Sequence, residues 1–124
     1  AGLSNLFYKD KKSIFNTPAF NFDEVVTLPN KATHLASNKI NKIQGLYFNS
    51  GISEVWGIQY HPEITYEKMI SIIKFRKDRL IDQRNRFKDE GEINKHINLI
   101  EEEIKISEKN SRMIELRNWL NLLV

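Results

Sequence analysis

The segment Lys42–Glu63, "KIQGLYFNSGISEVWGIQYHPE", carries the clearest structural signal in the first half of the chain. Two runs rich in β-branched and aromatic residues, 42–48 and 54–60, stand on either side of the turn residues Asn49-Ser50-Gly51. Turn residues between two such runs are typical of a β-hairpin. The sequence therefore predicts that these two runs pair as antiparallel strands.

Three further β-rich runs precede this hairpin. They are predicted to form short strands at 15–20, 24–28 and 33–36. Turn residues such as Pro29-Asn30 and Ser37-Asn38 bound these runs. The first half of the chain is therefore expected to be β-rich.

From Thr65 onward the apolar residues recur with a helical period. Thr65 is expected to cap a first helix whose apolar face carries Met69, Ile70, Ile72, Ile73, Leu80 and Ile81. Residues 88–91 should interrupt that helix. A second helix repeats Ile93, Ile97, Ile100 and Ile104, and a third repeats Met113, Leu116, Leu120 and Leu123. Whether Asn110-Ser111 separates the last two helices or bends one long helix stays open. These elements predict either a small α+β domain or the latter part of a larger sheet protein.

The composition is that of one globular domain. The chain has 124 residues, 40% of them hydrophobic, and a net charge of +3. Residues 1–60 carry 6 basic and 4 acidic groups and residues 61–124 carry 13 and 12, so no half is basic enough to predict a nucleic-acid partner. No apolar run is long enough to span a bilayer, and the absence of cysteine is compatible with the cytoplasm, where we expect the protein.

His61 and Glu63 form the one pair with an obvious chemical use. Residues i and i+2 of an extended chain point to the same side, so the imidazole and the carboxylate can meet. A carboxylate that binds one imidazole nitrogen leaves the other free as a base. Pro62 stiffens the turn between them. The pair lacks only a nucleophile, and the chain has no cysteine.

The residues around this pair resemble a known family. "GIQYHPE" (Gly57–Glu63) is similar to the G-[VI]-Q-[FYW]-H-P-E signature that closes the class I glutamine amidotransferase domain. "FNFDEVVTLP" (Phe20–Pro29), "ATHLASN" (Ala32–Asn38) and "KIQGLYF" (Lys42–Phe48) resemble upstream segments of that domain in the same order. The resemblance covers residues 14–63 and is weaker beyond them.

The resemblance implies a fold and a reaction. The fold is α/β, the C-terminal part of a flavodoxin-like class I glutamine amidotransferase domain, with short, mostly antiparallel strands followed by two to three helices. In that family a cysteine attacks the side-chain amide of glutamine and ammonia is released. His61 would act as base and acid, and Glu63 would orient it. No cofactor and no metal ligand are implied.

The family's cysteine lies on a G-x-C-x-G elbow that this sequence lacks. We therefore expect residues 1–124 to be the C-terminal portion of one such domain, with a β-rich part at 1–63 and a helical tail at 64–124. The start at Ala1-Gly2 without methionine is expected either of a cloning remnant or of a fragment. Expected partners are glutamine as substrate and an N-terminal, cysteine-bearing segment of the same protein. A synthase partner and a homo-oligomer stay open, and alone the chain should be inactive.

Two departures narrow the resemblance. Asn21 stands where many members have a histidine. The continuation after Glu63 lacks the Thr-x-x-Gly of the synthases that make GMP, anthranilate or carbamoyl phosphate, and favours stand-alone, GMP-synthase-like domains. Two rival functions remain: a γ-glutamyl hydrolase of the same superfamily, or a cysteine-less regulatory or binding subunit.

Other residues are interpreted as structural. His34 and His96 belong to no cluster at metal-ligand spacing. The basic run Lys74–Lys88 is interrupted by acidic residues and predicts a solvated helix face. Trp56 is expected in the core and Trp119 half-buried near an interface. The isoleucine repeat of the second helix is predicted to be a packing face, with a dimer contact as the alternative.

Overall fold

The computed structural model describes residues 2–124 and, of Leu3, the backbone only. It is an α/β chain in which a three-stranded antiparallel sheet is followed by helices, as predicted. The chain divides into two compact units. The first unit joins the residues up to Glu63 with Lys109–Val124, and the second unit is Ile64–Glu108.

The sheet contains β1 (Thr33–Ala36), β2 (Gly45–Ser50) and β3 (Ser53–Ile58), in the order β1-β2-β3. The predicted hairpin is confirmed, but its turn is Gly51-Ile52 because Ser50 pairs with Ser53 inside the ladder. Gly51 has a φ of 61°, which fits the first central position of a two-residue type II′ turn. Such a turn matches the twist of the strands, and Asn49 and Ser50 therefore extend β2.

Two predicted strands are wrong. Residues 24–28 form no strand, and Val26 is 79% exposed, so the run buries too little apolar surface to pair. Residues 15–20 contribute only an isolated antiparallel bridge from Ala19 to Tyr60. Pro18 has no N–H to donate to a ladder, which explains why this contact stays short.

The core of the first unit is aromatic. Phe7, Tyr8 and Tyr60 are buried together, and Phe15, Trp56 and other partly buried side chains pack against them. Trp56 lies at the edge of this core, with its indole N–H donating to the Asn5 side chain at 3.1 Å.

The C-terminal segment forms α3 (Lys109–Arg112) and α4 (Ile114–Leu122). Asn110 and Ser111 lie inside α3, and the helix break falls instead at Ser107-Glu108. The predicted apolar face is wrong at its end, because Leu120 and Leu123 are 54% and 64% exposed. The fully buried residue of α4 is Glu115, at 0% exposure. Trp119 is 39% exposed.

The second unit contains α1 (Tyr66–Phe75), a π-helical turn (Arg79–Gln83) and α2 (Glu90–Ile106). The Thr65 cap is confirmed, since its hydroxyl accepts the Lys68 N–H at 3.1 Å. The interruption predicted at 88–91 is misplaced. The Asp89 carboxylate caps α2 by accepting the Glu92 N–H at 2.9 Å, so Glu90 already belongs to the helix.

The isoleucine repeat is a packing face, as predicted. Ile93, Ile97 and Ile100 are buried with Tyr66 and Ile73 in the core of the second unit, and Ile104 packs at its edge. Throughout residues 2–124, no helix is both long enough and apolar enough to cross a membrane.

Candidate functional site

His61 is placed by a backbone ladder that continues past the end of β3. The Gln59 N–H donates to the Gln44 carbonyl at 2.9 Å, and Tyr60 bridges to Ala19. The His61 N–H then donates to the Pro18 carbonyl at 2.7 Å. Residues 59–61 are therefore hydrogen-bonded to Gln44 on one side and to the segment 18–19 on the other.

The side chains of His61 and Glu63 meet as the i, i+2 spacing predicts. His61 Nδ1 lies 2.8 Å from Glu63 Oε1. An ionised carboxylate only accepts hydrogen bonds, so Nδ1 donates to it, and Nε2 of the neutral ring is left as an acceptor. The two side chains are 38% and 53% exposed, so a substrate in solution can reach them.

Even with a protonated ring, a contact as exposed as this one contributes only about 0–1 kcal/mol. Its own attraction is too weak to fix the geometry of the turn. The i, i+2 spacing allows the two side chains to meet, and contacts of the neighbouring backbone help to hold that arrangement.

Pro62, the residue between His61 and Glu63, is held by a contact with α3. Pro62 is fully buried, and its carbonyl accepts a hydrogen bond from Arg112 Nε at 2.8 Å. Proline restricts its own backbone angle φ, and the guanidinium holds its carbonyl. The peptide that links His61 to Glu63 is thereby held in one orientation.

The residue before His61 reaches into a buried polar cluster. The Tyr60 hydroxyl donates to Glu115 Oε1 at 2.8 Å. The Tyr8 hydroxyl lies 2.7 Å from the Tyr60 hydroxyl. Since Tyr60 gives its one hydrogen to the carboxylate, Tyr8 donates to Tyr60. Burial raises the pKa of Tyr8 to about 12. Burial is also the main reason that the pKa of Tyr60 lies far above its ordinary value. Negative charge on Tyr8 and on Glu115 raises this pKa further.

Lys11 completes this cluster. Its Nζ lies 2.9 Å from Glu115 Oε2, and the two side chains are 2% and 0% exposed. The same Nζ donates to the carbonyls of Ser111 and Arg112 at 2.9 and 3.1 Å. All three ammonium hydrogens therefore have acceptors inside the protein. We call Tyr8, Lys11, Tyr60 and Glu115 the buried polar cluster.

Sequence reasoning missed this cluster. Lys11 and Glu115 are separated by 104 positions. Glu115 stands between Ile114 and Leu116, in a helix whose apolar spacing predicted that a different face is buried. One signal was present: Arg112, Glu115 and Asn118 recur at a spacing of three. Asn118 also faces inward, since its amide donates to the carbonyls of Phe7 and Lys9 at 3.0 and 2.8 Å.

The remaining histidines lie elsewhere. His34 Nε2 is 2.9 Å from the Ala36 carbonyl in β1. The His96 ring packs against the Phe87 ring, with 5.4 Å between the ring centroids. Burial lowers the pKa of His96. Within residues 2–124, no group of three His, Asp or Glu side chains is arranged to hold a metal ion.

Asn21 and the basic run are also located. Asn21 is half-buried, and its side-chain amide has no hydrogen-bond partner among the residues that the structure describes. In the basic run, Lys77 pairs with Glu90 at 3.1 Å on the surface of the second unit. This contact accords with the prediction of a solvated helix face.

Comparison with known proteins relates part of the chain to an enzyme. Half of the chain is similar to a hydrolase: 64 residues, 52% of the chain, are 38% identical to that protein. The relative is gamma-glutamyl-L-1-hydroxyisopropylamide hydrolase from a Pseudomonas species. The chain covers 21% of the relative's length, about a fifth. No protein-family model and no solved structure matches the chain.

Proposed function

We propose that this chain supplies the acid–base half of a glutamine amidotransferase-like hydrolase that cleaves γ-glutamyl amide bonds. The observation that carries the proposal is the 2.8 Å contact between His61 Nδ1 and Glu63 Oε1, just after the end of β3. The similarity to a hydrolase named for a gamma-glutamyl amide supports it. So does the resemblance of Gly57–Glu63 to the amidotransferase signature.

The proposed roles rest on this contact and on the resemblance to the amidotransferase signature. Glu63 fixes the ring tautomer and stabilises the imidazolium that forms when Nε2 takes a proton. His61 Nε2 removes the proton of a thiol nucleophile as it attacks the amide carbonyl. It then gives that proton to the departing ammonia or amine. A water molecule, activated by the same nitrogen, finally hydrolyses the γ-glutamyl thioester and returns the thiol.

The thiol must come from outside these residues, because the chain contains no cysteine. The proposed partner is a cysteine-bearing, N-terminal segment of the same protein. A synthase that receives the ammonia and self-association of the chain remain open proposals. No cofactor takes part in the proposed reaction.

Activity of purified proteins tests this function. The 124-residue chain alone should release no ammonia from L-glutamine and no amine from a γ-glutamyl alkylamide. The longest polypeptide of the same gene that contains these residues should hydrolyse at least one of them. In that polypeptide His61→Ala should lower kcat by about 10²- to 10⁴-fold, because the general base is lost.

His34→Ala serves as the matched control, since His34 bonds only to a strand carbonyl among its described contacts. Hydrolysis by the chain alone, or an undiminished rate in the His61→Ala variant, would overturn the proposed role. Lack of hydrolysis by the longer polypeptide would favour a non-catalytic regulatory or binding subunit.

The choice of substrate is a second question. The name of the relative favours a γ-glutamyl amide larger than glutamine. The ratio of kcat/KM for a γ-glutamyl alkylamide to that for glutamine decides it. A ratio above one assigns a γ-glutamyl amide hydrolase, and a ratio below one assigns a glutaminase of the amidotransferase type.

A further inference from the structure

We propose that α3 and α4 position the turn at residues 61–63, which we call the catalytic turn, with Arg112 and Glu115 as its positioning residues. The catalytic meaning of this inference rests on the function proposed above. Neither residue touches the His61 or Glu63 side chains among the described hydrogen bonds. Both act through the neighbours of His61 in the chain.

The two contacts lie on either side of His61. Glu115 accepts the hydroxyl hydrogen of Tyr60, the residue before it, at 2.8 Å. Arg112 donates to the carbonyl of Pro62, the residue after it, at 2.8 Å. Together with the Pro18 carbonyl, which accepts the His61 N–H, these contacts hold the chain at three successive residues. The backbone that carries the imidazole is therefore held in place, while the His61 side chain itself stays 38% exposed to solvent.

Charge and burial give this arrangement its precision. The Lys11 ammonium and the Glu115 carboxylate are removed from water, so any shift of α4 would leave a buried charge without its partner. Lys11 also binds the last two carbonyls of α3, Ser111 and Arg112. The backbone that carries the Arg112 guanidinium is thus tied to the same ammonium group as Glu115. A buried, fully satisfied network of this kind favours one geometry.

The exposed pair cannot supply that precision alone. A surface contact between a histidine and a glutamate is weak and competes with water. A catalytic base loses much of its effect when it is displaced by about 1 Å. The buried polar cluster and Arg112 provide the rigidity that the pair lacks.

A merely structural role would also make these residues important for folding, so the test needs a readout at His61. Long-range ¹H–¹⁵N spectra of the 124-residue chain report which ring nitrogen of each histidine carries the proton. In the wild-type chain, neutral His61 should be protonated mainly at Nδ1, because this nitrogen donates to Glu63. Glu63→Ala gives the reference ratio of the two tautomers without that contact.

The first variant is Arg112→Met, which removes the donor to the Pro62 carbonyl and keeps an unbranched side chain. We expect it to move the His61 tautomer ratio most of the way to the Glu63→Ala reference. Arg117→Met is the matched control. Arg117 also binds a backbone carbonyl, that of Asn110 at 2.7 Å, but it makes no described contact with the turn. The control should leave the ratio unchanged, and Arg112→Lys should restore part of it.

A second variant separates positioning from stability. In Lys11→Met/Glu115→Leu both buried charges are replaced by apolar side chains, which often preserves folding. Tyr60 keeps Tyr8 as a partner but loses Glu115. The chain should fold, as judged by circular dichroism, and its tautomer ratio should still shift toward the reference.

The inference is overturned when a folded Arg112→Met chain and the folded double variant both keep the wild-type ratio. It is also overturned when Arg117→Met shifts the ratio as much as Arg112→Met. The measurement needs no substrate and no nucleophile. A failed activity assay would therefore contradict the proposed function, whereas an unchanged tautomer ratio would contradict the positioning role.

Discussion

The two units of the chain have cores of different chemical composition. The second unit buries an aliphatic stripe, Ile93, Ile97 and Ile100, against Ile73 and Tyr66. The first unit buries aromatic rings around an ion pair, with Lys11 and Glu115 almost wholly removed from solvent. The candidate site belongs to the first unit.

The two kinds of core place different demands on the sequence. Aliphatic side chains attract one another without direction, so the second unit needs only the right period and volume. Paired charges and hydroxyl groups demand particular distances and angles, and a misplaced partner is costly. The unit that holds a potential catalytic pair is the one with the more demanding geometry.

The largest effect should come from breaking the buried ion pair. Glu115→Ala leaves the Lys11 ammonium buried without its carboxylate, and we expect a loss of about 3–5 kcal/mol in the free energy of unfolding. Urea denaturation followed by tryptophan fluorescence measures this loss, since Trp56 and Trp119 both belong to the first unit. The control is Glu102→Ala, which breaks an exposed contact with Lys105 and should change the stability little. Equal losses in the two variants would contradict the comparison.

A somewhat smaller effect is expected in the second unit. Ile93 is 1% exposed, and Ile93→Ala should lower the free energy of unfolding by about 2–5 kcal/mol through lost burial and a cavity. Leu99→Ala in the same helix is the control, because Leu99 is 69% exposed. Protection of the α2 amides from hydrogen exchange reports the change locally. A similar loss of protection in both variants would show that the isoleucine stripe is not the core.

The smallest effect concerns pH. Burial lowers the pKa of His96 below its ordinary value of 6.5. Between the folded and unfolded pKa values the unfolded chain binds more protons, so stability should rise with pH there and level off above 6.5. Urea titrations followed by circular dichroism in buffers on both sides of that value measure the slope. In His96→Gln this part of the slope should vanish; an unchanged slope would assign it to other groups.

Part of the fold and of the site could be predicted from sequence, because it depends on near neighbours. The i, i+2 relation brought His61 and Glu63 together, the Thr65 hydroxyl capped α1, and the period of the isoleucines identified a packing face. Each of these features depends on residues within about three helical turns of one another. The hairpin was also predicted, although its turn begins at Gly51 rather than at Asn49.

The errors have a common physical reason. Runs 15–20 and 24–28 have strand-like composition, but a strand forms only where a partner strand accepts its hydrogen bonds. Whether such a partner exists is decided by the rest of the fold. The apolar spacing of α4 was equally ambiguous, because its polar residues repeat at a helical spacing too.

The contact between His61 and Glu63, the hairpin and the aliphatic core could all be predicted from sequence, because each depends on local geometry or on a hydrophobic period among nearby residues. The buried polar cluster next to His61 could not be predicted in this way. Lys11 and Glu115 are 104 positions apart, and no local rule relates them. Their pairing exists because burial makes an unpaired charge too costly, and folding alone brings the two ends of the chain together.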